Sequence, residues 1–223
     1  MKMNERAWAG QIIAWIKEAI NNGTTVFQEA TNDEGIKVAS GRTKFPDILL
    51  FTDKVSGVVF NGWELKFPDT AVDDVEMLNN ALEKAEHLKS NSFVTWNGSE
   101  AIIWKINSES YTLDRLERLK VYPKEQGINK RDDLAERNKY NKNEVKLKQR
   151  LNEILHDLDQ LYRNGKLKNA INISSNIIKA VKQASMHFVP QFRNEINELK
   201  NCDVDFRQNF NKWKIVESST LKI

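Results

Sequence analysis

Hydrophobic and polar positions repeat at two different periods in the first half of the chain, and these periods predict alternating helices and strands. A helical stripe predicts a helix from Asn4 to Asn22, and its members are Trp8, Ile12, Trp15, Ile16 and Ala19. Two runs, Phe45–Phe51 and Val58–Phe67, are apolar on both faces, which is typical of strands buried on both sides. The short turn-rich segment 53–57 between them predicts a hairpin.

The same alternation continues after Pro68. A helix is predicted from about Asp73 to Lys89, with Asp73 and Glu76 as a capping box and an apolar stripe of Val75, Leu78, Leu82, Ala85 and Leu88. Two β-rich runs, Ser92–Trp96 and Ala101–Ile106, flank an Asn97-Gly98 pair that indicates a second hairpin. With Thr24–Ala30 as the first strand, the order is helix, three strands, helix, two strands. This order predicts an α/β fold with one mixed sheet flanked by helices.

The second half of the chain has a different pattern. Residues 111–143 are polar, contain more basic than acidic side chains and have few apolar anchors, so we predict a charged linker there. The linker would separate a domain at 1–110 from an α-helical region at 144–223. In that region an apolar stripe formed by Val145, Leu151, Ile154, Leu155, Leu158 and Leu161 ends at Gly165, and the next helix is expected to end near Pro190.

Composition excludes several classes of protein. The 223 residues are 40% hydrophobic and 29% charged, which is typical of a globular chain rather than a disordered one. No apolar run reaches the roughly 18 residues of a membrane-spanning helix, and the start of the chain does not resemble a signal peptide. The single cysteine, Cys202, cannot form an internal disulfide. We therefore expect a cytoplasmic protein without membrane contact. The net charge of +3 permits nucleic-acid binding without arguing for it.

Candidate chemistry lies in the first hairpin, where Pro46-Asp47 precedes Glu64-Leu65-Lys66. If the strands pair about a turn between Val55 and Ser56, Thr52 opposes Val59 and Asp47 opposes Glu64. Directly opposed residues have Cβ atoms about 4.5–5.5 Å apart and share a face. Glu64 and Lys66, two positions apart, point to that same side. Two carboxylates and one ammonium group are thus predicted to converge at the end of an apolar sheet.

Such a cluster suits a hard divalent cation. Two nearby buried carboxylates raise each other's pKa unless a cation lies between them, and Mg²⁺ or Mn²⁺ prefers oxygen ligands. Such an ion stabilises charge that develops on a phosphate and lowers the pKa of a bound water, which is the equipment for phosphodiester hydrolysis. A salt bridge between Lys66 and one acid at a strand end remains the alternative interpretation.

This arrangement resembles the PD-(D/E)XK nuclease superfamily over roughly residues 4–106. The resemblance implies a restriction-endonuclease-like αβββαβ core and Mg²⁺- or Mn²⁺-dependent cleavage of DNA. It implies that Asp47 and Glu64 bind the metal together with the Leu65 carbonyl, and that Lys66 orients the attacking water. In some members the first helix adds an acid, for which Glu5 is the candidate.

A finer pattern is similar to the nuclease modules of prokaryotic restriction systems. It comprises Trp63–Asp69, Ala81, Lys84-Ala85 and Phe93–Gly98. It implies a restriction or anti-phage defence enzyme that works with further domains or subunits for recognition, methylation or translocation. A homodimer is the expected arrangement for cutting both strands of DNA.

Basic residues near this pattern are candidates for binding DNA. Arg42 and Lys44 lead into the first hairpin and are expected to contact phosphates. Lys84 is the third candidate, although an exposed lysine on the polar side of its helix is the default interpretation. Two alternatives stay open: a module that binds nucleic acid or a protein partner without catalysis, and a nuclease of the same fold that acts on RNA.

Overall fold

A computed structural model of the chain describes residues 3–32, 36–37, 43–44, 46–107, 110–170 and 175–211. The chain divides into two compact units, residues 1–172 and 173–223. In the first unit the helices are α1 (Glu5–Asn21), α2 (Val75–Leu88), α3 (Arg131–Ala135) and α4 (Arg137–Arg163). The strands are β1 (Glu29–Thr31), β2 (Ile36–Lys37), β3 (Thr43–Lys44), β4 (Ile48–Asp53), β5 (Val58–Leu65), β6 (Ser92–Trp96), β7 (Ala101–Ile106) and β8 (Leu116–Tyr122). The second unit contains α5 (Ser175–Cys202) and a further helical segment, 204–211.

Six of the strands form one mixed sheet in the order β1-β4-β5-β6-β7-β8. Its neighbouring strands are antiparallel except β5 and β6, which are parallel and are connected by α2. Strands β2 and β3 pair separately. The predicted α/β class, the mixed sheet and the helical C-terminal region are therefore confirmed.

Helices cover the sheet on two sides because its central strands are apolar on both faces. In β6 and β7, Val94 and Ile103 pack with α1 and α4, whereas Phe93 and Ile102 pack with α2. Five tryptophans of this unit are buried, at positions 8, 15, 63, 96 and 104, and they serve as core residues. The site described below lies where β4 begins and β5 ends, between α1 and α2.

The register of the first hairpin agrees with the prediction near the site and differs near the turn. Ile48 pairs with Trp63 and Leu50 with Asn61, as expected. Two irregularities follow, so Val59 lies opposite Phe51 and not opposite Thr52 as predicted. Because the second shift cancels the first, Asp53 pairs with Val58 and the turn keeps its expected position.

The charged segment 111–143 does not form a linker between a 1–110 domain and a helical region. It supplies the edge strand β8, all of α3 and the first part of α4, and the first compact unit extends to residue 172. An edge strand needs only backbone pairing on one side, and charged side chains are common there because they prevent further strands from adding. β8 therefore resembles a linker in composition although it pairs along its whole length with β7.

Three helix predictions also need correction. The N-cap of α2 is Asp74 and not Asp73, since the Asp74 carboxylate accepts hydrogen bonds from the N–H groups of Glu76 and Met77. Val75 and Val145, assigned to apolar stripes, are exposed because both lie on the outer faces of their helices. Helix α5 continues through Pro190 to Cys202, since a proline inside a helix removes one hydrogen bond without necessarily ending the helix. Among the described helices, none combines the length and the apolar character needed to span a membrane.

Candidate active site

Asp47 is fixed across the first hairpin by two hydrogen bonds to the backbone on either side of Glu64. It lies one residue before β4, where its N–H donates to the carbonyl of Trp63 at 3.2 Å. Its carboxylate oxygen Oδ2 accepts from the N–H of Leu65 at 2.7 Å, so a side chain replaces a backbone acceptor as the ladder ends. The carboxylate is therefore held beside the end of β5.

Glu64 is a buried acid in an apolar strand. It is the penultimate residue of β5 and is 7% exposed, while the next residue, Leu65, points into the core. The ammonium group of Lys84, on α2, makes a short hydrogen bond and ion pair with the Glu64 carboxylate. Helix α2 packs against β5 and thereby places the ammonium group of Lys84 next to Glu64.

Lys66 continues the line of β5 and reaches toward α1. Its N–H donates to the carbonyl of Trp96 at 3.1 Å, which extends the pairing with β6 by one step. Its Nζ lies 3.0 Å from Oε2 of Glu5 in the first turn of α1, and both side chains are partly exposed. Glu5 stands at this position because Asn4 caps the helix, accepting from the N–H of Ala7.

Burial changes the proton affinity of the acids. It raises the pKa of Glu64 to about 7, although Lys84 opposes this change. It also raises the pKa of Asp47, against the opposing hydrogen bond from Leu65 and the charges of Lys84 and Lys66. For Lys66 partial burial lowers the pKa, but the hydrogen bond that its ammonium group donates to Glu5 and the neighbouring carboxylates outweigh this effect and raise the pKa. For both acids, the effect of burial thus outweighs that of the positive charges nearby.

The structure brings together five of the predicted residues: Asp47, Glu64, Lys66, Glu5 and Lys84. Arg42 lies outside the described residues. Lys44 is part of β3, opposite Ile36, and its side chain lies outside the described part.

Lys84 differs most from its predicted placement on the polar side of its helix. It is 8% exposed, because Ala81, Lys84, Ala85 and Leu88 have the i, i+3, i+4, i+7 spacing of a buried helix face. That spacing was present in the sequence and could have identified the position. Arg131 of α3 also lies near this end of β5, because its guanidinium group is 4.9 Å from the ring centre of Phe67, the residue after Lys66.

The donor set fits a hard divalent cation held by few protein ligands. Three carboxylates and two ammonium groups leave the cluster with one net negative charge if all are ionised. Within the described residues, no three His, Cys, Asp or Glu side chains form a group that could enclose a metal. An ion here would rely on Asp47, Glu64, the Leu65 carbonyl at the strand end and water. Mg²⁺ usually keeps several waters and binds through one or two carboxylates.

No family model, curated protein or solved structure matches the chain. A function can therefore be proposed only from the sequence and from the geometry of this site.

Proposed function

We propose that the chain is a metal-dependent DNA endonuclease with a PD-(D/E)XK active site. The observation that supports this most strongly is the convergence of Asp47, Glu64 and Lys66 at one end of the β4–β5 hairpin, with Asp47 bonded on both sides of Glu64. A strand-end salt bridge requires one acid and one base. The second acid and the net negative charge argue for an additional cation.

Each residue has a distinct role in the proposed hydrolysis. Asp47 and Glu64, with the Leu65 carbonyl, would hold Mg²⁺ or Mn²⁺, which supplies charge stabilisation at the phosphate and a more acidic water. Lys66 keeps its proton at neutral pH, because its pKa is raised, so its ammonium group donates hydrogen bonds and orients the attacking water. Glu5, 3.0 Å from that ammonium group, positions Lys66.

The order of elements supports the restriction-endonuclease-like core that the resemblance implies. α1 precedes three antiparallel neighbours, β1, β4 and β5, and α2 then connects β5 to the parallel strand β6. This matches an αβββαβ arrangement, with the small β2–β3 pair inserted and β7 and β8 added at the far edge. The finer proposal is a nuclease part or subunit of a restriction or anti-phage defence enzyme. Its proposed partners are DNA, a second copy for double-strand cleavage, and further domains or subunits for recognition, methylation or translocation.

Plasmid cleavage tests the assignment. With Mg²⁺ or Mn²⁺ the protein is expected to nick or cut supercoiled DNA, and Asp47→Ala or Lys66→Ala is expected to lower the rate about 100-fold or more. Asp69→Ala is the matched control for Asp47, because Asp69 also follows a proline but is exposed. Lys146→Ala is the control for Lys66, because Glu144-Val145-Lys146 repeats the spacing on helix α4.

The outcomes separate the nuclease from its alternatives. Equal activity in the wild type, Asp47→Ala and Lys66→Ala would exclude this site as the catalytic one. Salt-sensitive DNA binding without cleavage or any effect of divalent ions would favour a non-catalytic binding module. Faster cleavage of RNA than of DNA in the same assay would favour the RNA-directed alternative.

A further inference from the structure

Lys84 is the one lysine with a buried side chain among the residues that the structure describes. Lysines usually bury their aliphatic stem and keep the ammonium group in water, so a buried ammonium group needs a specific partner. Here the side chain is only 11% exposed, and its partner, Glu64, has a side chain that is 9% exposed. The pair is shielded from solvent on both sides.

This buried pair lies at the proposed metal site. Glu64 is one of the two acids that carry the proposed metal site, and Lys84 also acts electrostatically on the other acid, Asp47. The remaining ammonium group, that of Lys66, is hydrogen-bonded to Glu5. Lys84 is thus the cation that directly contacts a metal-binding carboxylate.

A carboxylate that accepts a lysine hydrogen bond cannot offer the same oxygen to a metal ion without losing that bond. The Oε1 atom of Glu64 is the atom that contacts Nζ of Lys84. Breaking a buried ion pair is costly unless each charge finds a new partner. An arriving divalent cation compensates Glu64, and its like charge repels the ammonium group.

We infer that Lys84 is a resident counter-cation that occupies Glu64 before the metal binds and competes with the metal for it. This inference rests on the proposed function, since it assigns a role to Lys84 only if Glu64 is a metal ligand. Lys84 is in this sense a positioning residue, which holds the Glu64 carboxylate in one orientation in the apolar strand. If Lys84 competes in this way, the wild-type protein binds the metal more weakly than a variant without this cation.

Metal affinity, measured without any substrate, tests the inference. Mn²⁺ is titrated calorimetrically into the wild-type protein, Lys84→Met, Lys84→Gln and Asp47→Asn. Lys84→Met keeps the length of the side chain and removes its charge, and Lys84→Gln keeps a hydrogen-bond donor if the methionine variant fails to fold. Lys124→Met is the matched control, because Lys124 is exposed and has no ion pair with any described residue.

The expected result is Mn²⁺ binding at least about tenfold tighter in the Lys84 variants than in the wild type, which corresponds to about 1.4 kcal/mol. Lys124→Met should bind Mn²⁺ as the wild type does. Without metal, Lys84→Met should also melt at a lower temperature, and saturating Mn²⁺ should raise its melting temperature more than that of the wild type.

Each of the other outcomes would contradict either the role of Lys84 or the proposed metal site itself. Unchanged or weaker Mn²⁺ binding in both Lys84 variants, together with loss of binding in Asp47→Asn, overturns the role of Lys84 and leaves the metal site intact. Mn²⁺ binding that persists unchanged in Asp47→Asn places the metal elsewhere and overturns the proposed function as well. Absence of Mn²⁺ binding in the wild type and in every variant overturns both.

Discussion

Two glutamates of the same sheet show how burial and lysine contacts compete to set the charge of an acid. Glu29 begins β1 and contacts Lys17 of α1 and Lys54 of the β4–β5 turn. Burial raises its pKa, but the hydrogen bonds from Lys54 and Lys17 outweigh it and lower the pKa to about 2. Glu64 also contacts a lysine, yet burial dominates and raises its pKa to about 7. A lysine contact therefore does not by itself offset the burial of Glu64.

Glu29 provides a test of this balance away from the site. Because its folded-state pKa of about 2 lies below the ordinary value of 4.5, the stability it contributes is present above pH 4.5 and is lost as the pH falls toward 2. The lysines are half exposed, so we expect a contribution of about 1 kcal/mol rather than the larger value that the full pKa shift implies. Glu29→Gln should remove this contribution, as measured by urea unfolding at pH 6 and pH 3.

The stability of the variant is compared with that of the wild type at each pH. This comparison is needed because Asp47 and Glu64, whose pKa values are raised, give both proteins an opposite pH dependence. At pH 6 the variant should be less stable than the wild type by about 1 kcal/mol, and at pH 3 this difference should shrink. Glu86→Gln is the control, since Glu86 is an exposed helical glutamate without a salt bridge to the described residues. A stability difference that is the same at both pH values would contradict the proposed role of the Glu29 pairs.

The hairpin between β6 and β7 is the element whose local sequence dictates its structure most directly. Asn97 accepts hydrogen bonds from the N–H groups of Ser99 and Glu100, and Gly98 adopts a φ of +84°. Only glycine adopts such a conformation without strain. A Cβ atom on Gly98 would in addition lie 2.3 Å from Cδ1 of Leu134 in α3. The turn therefore needs glycine both for its backbone and for the packing of α3.

Gly98→Ala should lower the free energy of unfolding by about 1–3 kcal/mol, because it combines positive-φ strain with the need to move Leu134. Gly62→Ala is the matched substitution inside the same sheet. Gly62 does not have a positive φ, and a Cβ there would lie 3.5 Å from Cβ of Pro46, an ordinary contact. Its effect should stay within about 0.5 kcal/mol. Chemical denaturation measures both, and equal effects would show that the turn conformation is not the cause.

The sequence predicts well those elements whose structure is determined by residues that are close together in the chain. The Asn97-Gly98 turn, the doubly apolar strands β4 and β5, and the stripe of α1 each carry their own pattern, and the end of the β4–β5 pairing near Asp47 follows from them. The two register shifts and the pairing of β8 depend on neighbours that are distant in sequence. A charged segment has the same local composition whether or not it pairs as an edge strand.

At the scale of the whole molecule, α4 completes the core that the sheet begins. Its buried face lies in the same cluster as residues of α1 and the sheet, and comprises Leu147, Leu151, Ile154, Leu155, Leu158 and Leu161. Polar contacts reinforce this packing: Asp159 accepts from the N–H of Val26 at 2.9 Å, and Tyr122 of β8 donates to Asp157 at 2.7 Å. The predicted boundary at residue 110 would cut through this core.

Two shortened chains test where the folding unit ends. Burial of the six apolar residues of α4, at about 1.5–3 kcal/mol each, contributes on the order of 10 kcal/mol, which equals the whole stability of a typical domain. A chain of residues 1–110 should therefore show no cooperative thermal transition by circular dichroism. A chain of residues 1–172 should melt cooperatively and retain the Mn²⁺ affinity of the full chain, because it contains every residue of the candidate site. A cooperative transition in the 1–110 chain would show that α4 packs on a sheet that is already stable. The independent folding unit would then be the smaller one that the sequence predicts.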